Sequence, residues 1–285
     1  MMYGTRILKL HIDAERFNRS NARPVTADQP TDISVAVAGG NLAVSLLGQG
    51  KSVLLLHGWT FDRRMWSGQY PLAESWQLVM PDRRGFGQSS AQPSLQQEYA
   101  DIDRLIPAGQ FAIIGFSQGA AVAMDYARRY PERVAALVVA GAPLHNIIGS
   151  DPAGAVPVDS YRELIAADNL AGMKEQWRGH RLMESEAANN LEINAMLADY
   201  TGRDLVEDDS EIELTGKDIS NLSMPVLALT GETDTPWRCA VTKYIGDHAQ
   251  SGESHIMAGA GHLCSLEKPI QFNRLVDHFI HSNFQ

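Results

Sequence analysis

Residues 111–129 read Phe111-Ala112-Ile113-Ile114-Gly115-Phe116-Ser117-Gln118-Gly119-Ala120-Ala121-Val122-Ala123-Met124-Asp125-Tyr126-Ala127-Arg128-Arg129. An apolar run closes at Gly115 and a helical run opens at Ala120, with Ser117 between glycines two residues before it and two after. A serine oxygen held proud of the backbone needs a sharp strand-to-helix turn, and flanking glycines leave room for that strained turn. The alanines at 120, 121 and 123 suit close packing of a helix on a sheet. Ser117 is therefore the candidate nucleophile. The pentapeptide decides nothing alone; the strand before it and the helix after it give it meaning.

Outward from this stretch, Ile33–Ala38, Asn41–Leu47, Ser52–His57, Gln77–Met80, Phe111–Gly115, Arg133–Ala140, Val226–Thr230 and Ser254–Met257 read as strands. Helical patterns over Ala120–Arg129, Ala240–Asp247 and Ile270–His281 alternate with the later strands. The alternation predicts a mostly parallel, helix-covered sheet, with the first two strands joined as an antiparallel hairpin through Gly39-Gly40. In such sheets functional groups gather beyond the carboxyl ends of the strands. Four strands here run into polar, glycine-rich segments: His57-Gly58-Trp59; Asp82-Arg83-Arg84-Gly85-Phe86-Gly87-Gln88-Ser89; Gly231-Glu232-Thr233-Asp234; and Gly259-Ala260-Gly261-His262.

With these segments in this order, the chain resembles the α/β-hydrolase family from about Ile33 to its C-terminus. The resemblance implies an α/β fold with an eight-stranded, mostly parallel sheet flanked by helices, and a helical cap inserted after strand 6. It also implies the chain order nucleophile, acid, base, which selects Ser117, Asp234 and His262. Among the other histidines, His57 lies between a strand and its glycine turn, His255 sits inside a strand, and His278 and His281 fall on the last helix. Asp234 matches the family's acid better than Glu232, and Asp82 reads as a turn-stabilising carboxylate. For the oxyanion, the resemblance assigns the backbone N–H groups of Gln118 and Trp59. The Trp59 side chain, with Phe61, Phe116 and Leu263, is expected to wall an apolar substrate pocket.

Serine at 117 disfavours the haloalkane dehalogenases and epoxide hydrolases, which resemble this fold but use aspartate there. Carbon–carbon bond hydrolases usually carry Asn before the serine and Trp after the base, where this chain has Phe116 and Leu263. The implied activity is hydrolysis of neutral carboxylic esters through an acyl-enzyme on Ser117, with no metal and no organic cofactor. Alternatives on the same fold are a carrier-protein methyl esterase, a lactonase or perhydrolase, and a carbon–carbon bond hydrolase. Outside hydrolysis stand a cofactor-independent oxygenase and a non-catalytic ligand receptor.

At 285 residues, 44% hydrophobic and 20% charged, the chain has material for one large core and an inserted subdomain. The expected division is an N-terminal arm at 1–31, a core at 32–144 and 221–285, and a helical cap at 145–220. The cap carries sixteen acidic residues against six Lys and Arg, a net of −10 that equals the net charge of the whole chain. Such a surface repels anions within about 8 Å at physiological salt, so nucleic acid is not an expected partner and a neutral, apolar small molecule is. The first thirty residues show neither a signal peptide nor a membrane span, although Arg6–Ile12 alternates like an edge strand. Two cysteines, Cys239 and Cys264, fit a reducing compartment, and the expected location is cytoplasmic with no membrane partner. No feature of the sequence sets an oligomeric state.

Overall fold

A single sheet of eight strands organises the chain, in the order β1-β2-β4-β3-β5-β6-β7-β8. The computed structural model describes residues 29–145, 147–149, 151–185, 191–208 and 210–285, so the expected edge strand at Arg6–Ile12 lies outside the described residues. β1 (Thr31–Val37) and β2 (Gly40–Leu47) form the expected antiparallel hairpin, and β2 is also antiparallel to β4 (Gln77–Pro81). From β4 onward every neighbour is parallel: β3 (Ser52–Leu56), β5 (Phe111–Phe116), β6 (Val134–Ala140), β7 (Pro225–Gly231) and β8 (Ser251–Met257). The expected strands thus recur within a few residues of their predicted bounds.

Alternation along the central strands feeds two cores. Val53 and Leu55 of β3 and Ala112, Ile114 and Phe116 of β5 face one layer, whereas Leu54, Leu56, Phe111 and Ile113 face the other. Because both faces are covered, these strands read as unbroken apolar runs. The covering helices are α1 (Glu98–Leu105), α2 (Gln118–Arg129), α8 (Pro236–His248), α9 (Cys264–Glu267) and α10 (Pro269–Asn283), joined by a 3-10 segment at Arg63–Glu74. β8 starts three residues before the expected Ser254. Its first residues, Ser251-Gly252-Glu253, are polar because this edge strand has one neighbour and is largely exposed, so they carry no apolar signal.

Between β6 and β7 the described chain is helical: α3 (Val158–Ala166), α4 (Leu170–Arg178), α5 (Leu191–Asp199), α6 (Arg203–Glu207) and α7 (Gly216–Ser220). Tyr161, Met173, Trp177, Ile193 and Met196 of this insertion join the core layer that contains Phe116. Its polar side chains tie it to the strand-end loops. Trp177 Nε1 donates to Thr60 Oγ1 (2.9 Å), Arg64 Nη2 to Asp199 Oδ2 (2.8 Å), and the Leu95 amide to Asp208 Oδ2 (2.7 Å). Among the described residues no helix is long and apolar enough to cross a membrane.

Candidate active site

The turn between β5 and α2 puts Ser117 at φ 50° and ψ −117°, a left-handed region that costs a non-glycine residue about 1–3 kcal/mol. The surroundings hold it there: the Ser117 amide donates to the Ala140 carbonyl (2.8 Å), and the Ala120 amide donates to the Ser117 carbonyl (2.9 Å). The flanking glycines are required by contact. A Cβ on Gly115 would lie 2.5 Å from the Gly119 carbonyl oxygen, and one on Gly119 would lie 2.4 Å from the carbonyl oxygens of both Leu56 and His57. The close approach of α2 to the ends of β3 and β5 therefore follows from the two glycines read in the sequence.

Ser117 Oγ lies 3.2 Å from His262 Nε2, and His262 Nδ1 lies 2.9 Å from Asp234 Oδ2. With Nδ1–H donating to the carboxylate, Nε2 is the acceptor that faces the serine hydroxyl. Asp234 also accepts from Thr230 Oγ1 (2.6 Å) and from the Thr235 amide (2.7 Å). The loops bearing the acid and the base are laced together, since the Thr233 amide donates to the Ala260 carbonyl (2.9 Å). The Gly261 amide in turn donates to Glu267 Oε2 (2.9 Å) on α9.

The electrostatics favour a neutral ring against an ionised acid. Burial lowers the His262 pKa, opposed by Asp234 and assisted by Arg238. For Asp234, burial pushes upward, but the His262 ring, the Arg238 cation and the Thr230 hydroxyl outweigh it and bring the pKa to about 2. At neutral pH the pair is an uncharged imidazole beside a carboxylate, the state in which His262 can accept a proton from Ser117.

The amides of Trp59 and Gln118 both follow strand ends beside Ser117, and a Cβ on Gly58 would lie 3.3 Å from Ser117 Cβ. No acceptor among the described residues takes up either N–H. Two such amides beside a candidate nucleophile can receive a developing oxyanion. Of the four residues expected to wall a pocket, Phe61, Phe116 and Leu263 are buried in the core, and Trp59 is half-buried. Phe116 packs on the His262 ring (centroids 5.0 Å apart) and Phe61 on Phe116 (6.3 Å).

Sequence reasoning did not find what surrounds Trp59. Its indole lies against Tyr161, Trp177 and Tyr200, with centroids 6.0, 4.7 and 6.0 Å away. Its Nε1–H donates to Asp204 Oδ2 (2.7 Å), and the Tyr200 hydroxyl donates to the other oxygen of that carboxylate (2.7 Å). Burial raises the Asp204 pKa above the ordinary aspartate value. Clustered aromatics in the insertion were the one available signal, but nothing in their spacing says which core residue they meet.

His57, a rival base on sequence grounds, is fully buried with both ring nitrogens engaged. Nε2 accepts from the Arg83 amide (2.9 Å), and Nδ1–H donates to the Gly58 carbonyl (2.8 Å). Asp82 accepts from the amides of Arg63 (2.8 Å) and Gln88 (2.7 Å) and pairs with the Arg63 guanidinium, so it braces its own turn.

Residues 51–269 match the family described as the alpha/beta hydrolase fold, and the chain belongs to that family. A pimeloyl-[acyl-carrier protein] methyl ester esterase of Aeromonas hydrophila is 26% identical over 254 residues, covering 84% of this chain and 99% of the relative. Among solved structures, a thermophilic esterase from Thermogutta terrifontis superposes with a TM-score of 0.74 at 21% identity, covering 90% of this chain and all of that one. An esterase from Rhodococcus sp. ECU1013 does so with the same TM-score and identity, covering 90% of this chain and 99% of its own.

Proposed function

We propose that the protein is a serine hydrolase that cleaves neutral carboxylic esters through an acyl-enzyme on Ser117. The observation that carries this reading is the unbroken chain from Ser117 Oγ to His262 Nε2 and from His262 Nδ1 to Asp234. His262 takes the hydroxyl proton as Ser117 attacks the ester carbonyl, then gives it to the departing alkoxide. Asp234 keeps the ring in the required tautomer and stabilises the imidazolium. The amides of Trp59 and Gln118 receive the tetrahedral oxyanion, and losing one such donor costs about 3 kcal/mol of barrier. Water then repeats the cycle on the acyl-enzyme, and none of these steps calls for a metal or an organic cofactor.

Residues 145–220 act in this reading as a cap over the serine. The support is the contact of Trp59, which belongs to the proposed oxyanion segment, with Tyr161, Trp177, Tyr200 and Asp204 of the insertion. Phe61, Phe116 and Leu263 then back the acyl site from beneath while Trp59 faces the acyl group. A cytoplasmic setting accords with Cys239 and Cys264 being free thiols.

A second reading, a methyl esterase of an acylated carrier protein, is favoured by the relative whose length is matched almost end to end. Against it stands the cap's excess of acid, because carrier proteins are themselves acidic. Hydrolysis of p-nitrophenyl esters from acetate to decanoate, wild type beside Ser117→Ala, tests the main reading. Turnover that falls by orders of magnitude in the variant supports it, and its chain-length optimum sizes the acyl site. Turnover only of a carrier-bound methyl ester moves the assignment to the second.

A further inference from the structure

The two segments that supply the oxyanion amides come from different strands, residues 57–59 after β3 and 117–118 after β5, and one side chain joins them. Arg83, in the loop after β4, donates from Nη1 to the His57 carbonyl (3.0 Å) and to Gln118 Oε1 (3.1 Å). Its amide donates to His57 Nε2 (2.9 Å). The opposite edge of the guanidinium is held by Glu98 on α1, which accepts from Nε and Nη2, each at 2.7 Å. Arg83 is 2% exposed and Glu98 4%.

We propose that Arg83 is a positioning residue that fixes the distance between the Trp59 and Gln118 amides, with Glu98 aiming its guanidinium. The inference rests on the serine-hydrolase reading. Three features argue for it. First, a buried ion pair is a poor device for stability alone, since removing two charges from water offsets much of their attraction. Second, the planar fork is spent on geometry: one edge is locked by a bidentate carboxylate, which leaves both Nη1 hydrogens aimed at different segments. A lysine ammonium, a point charge on a flexible stem, cannot reproduce that fork. Third, both acceptors sit within two residues of a proposed oxyanion donor. The His57 carbonyl precedes Gly58-Trp59, and Oε1 belongs to Gln118 itself. A shift of about 1 Å between such groups can cost a hundredfold in rate.

The test uses two variants, assayed with the p-nitrophenyl ester that the wild type prefers. Arg83→Met/Glu98→Leu removes the clamp without leaving a buried charge unpaired. Gln118→Met removes only one arm and keeps the backbone amide. The double variant is expected to lose roughly 10- to 100-fold in kcat with KM within about twofold, and Gln118→Met a smaller share, about 3- to 10-fold. Affinity for a boronic acid that mimics the tetrahedral state falls by the same factor as kcat in each variant. A folded double variant with kcat within twofold of wild type overturns the clamp. If the double variant does not fold, Gln118→Met decides alone, and unchanged kcat there overturns it equally. A wild type that hydrolyses no ester removes the serine-hydrolase reading, and the clamp falls with it.

Discussion

His57 makes the structure sensitive to acid below pH 6.5, in a way that a non-titrating replacement separates from the carboxylates. The ring is fully buried, with Nε2 facing the Arg83 amide, so a second ring proton would meet an N–H with no acceptor to take it. Burial, with help from the Arg83 cation, brings its pKa from 6.5 to about 3. The unfolded chain binds the proton at the higher value and the folded chain at the lower. The stabilisation is therefore complete above about pH 6.5 and is lost progressively as the pH falls toward 3. At about 1.4 kcal/mol per pKa unit the full loss is about 5 kcal/mol, of which about 3 kcal/mol has gone by pH 4. The comparison is with His57→Gln, whose amide offers an acceptor and a donor but does not titrate. Asp62, Arg63 and Arg83, the charged groups that act on the ring, remain in both proteins. Urea unfolding followed by tryptophan fluorescence at pH 7, 6, 5 and 4 gives the two stabilities. The variant's deficit at pH 7 should shrink by about 3 kcal/mol at pH 4. A deficit that stays constant over this range refutes the claim that His57 is held neutral by burial.

Two further outcomes follow from the site. Asp234→Asn leaves His262 without its orienting carboxylate and should lower kcat about 10⁴-fold, while the wild-type acidic limb of kcat/KM, set by a His262 pKa that burial depresses, falls below pH 6.5; a pH–rate profile of both proteins checks this. Gly119→Ala drives a Cβ to 2.4 Å from two carbonyl oxygens at the end of β3, which should cost about 2–3 kcal/mol of stability by urea midpoint and displace the Gln118 amide enough to reduce kcat.

Nearly all of the sheet could be read from the sequence because its central strands are buried on both faces and so appear as unbroken apolar runs. The same physics hid the start of β8, an edge strand whose exposed residues need not be apolar. Ser117 stood out by its glycine-flanked strand-to-helix turn, Asp234 and His262 by the chain order of nucleophile, acid and base that the family resemblance implies, and the structure links the three side chains through His262. Arg83 did not stand out. Its contacts reach His57, Glu98 and Gln118, which are remote in sequence from one another, and a basic residue in an Arg-Gly turn carries no mark of which segments it will join. Asp204 was invisible for a related reason: one aspartate among sixteen acidic residues cannot be distinguished from its solvated neighbours by composition.

That last case changes what the charge of the insertion means. A net of −10 suggests an acidic surface that repels anions at a distance. Yet Asp151 accepts from Thr235, Glu192 from Ser67, Asp199 from Arg64, Asp204 from Trp59 and Asp208 from the Leu95 amide, all donors of the core. At these positions the acids act as acceptors that join the insertion to the strand-end loops, and their long-range field is a by-product. The join at Trp59 differs from the rest because its donor is the residue whose amide is a proposed oxyanion donor. If the insertion covers the substrate as proposed, loosening it there would disturb the proposed oxyanion loop as well, so mutations in the insertion that break the Trp59–Asp204 bond should alter kcat and not only substrate preference.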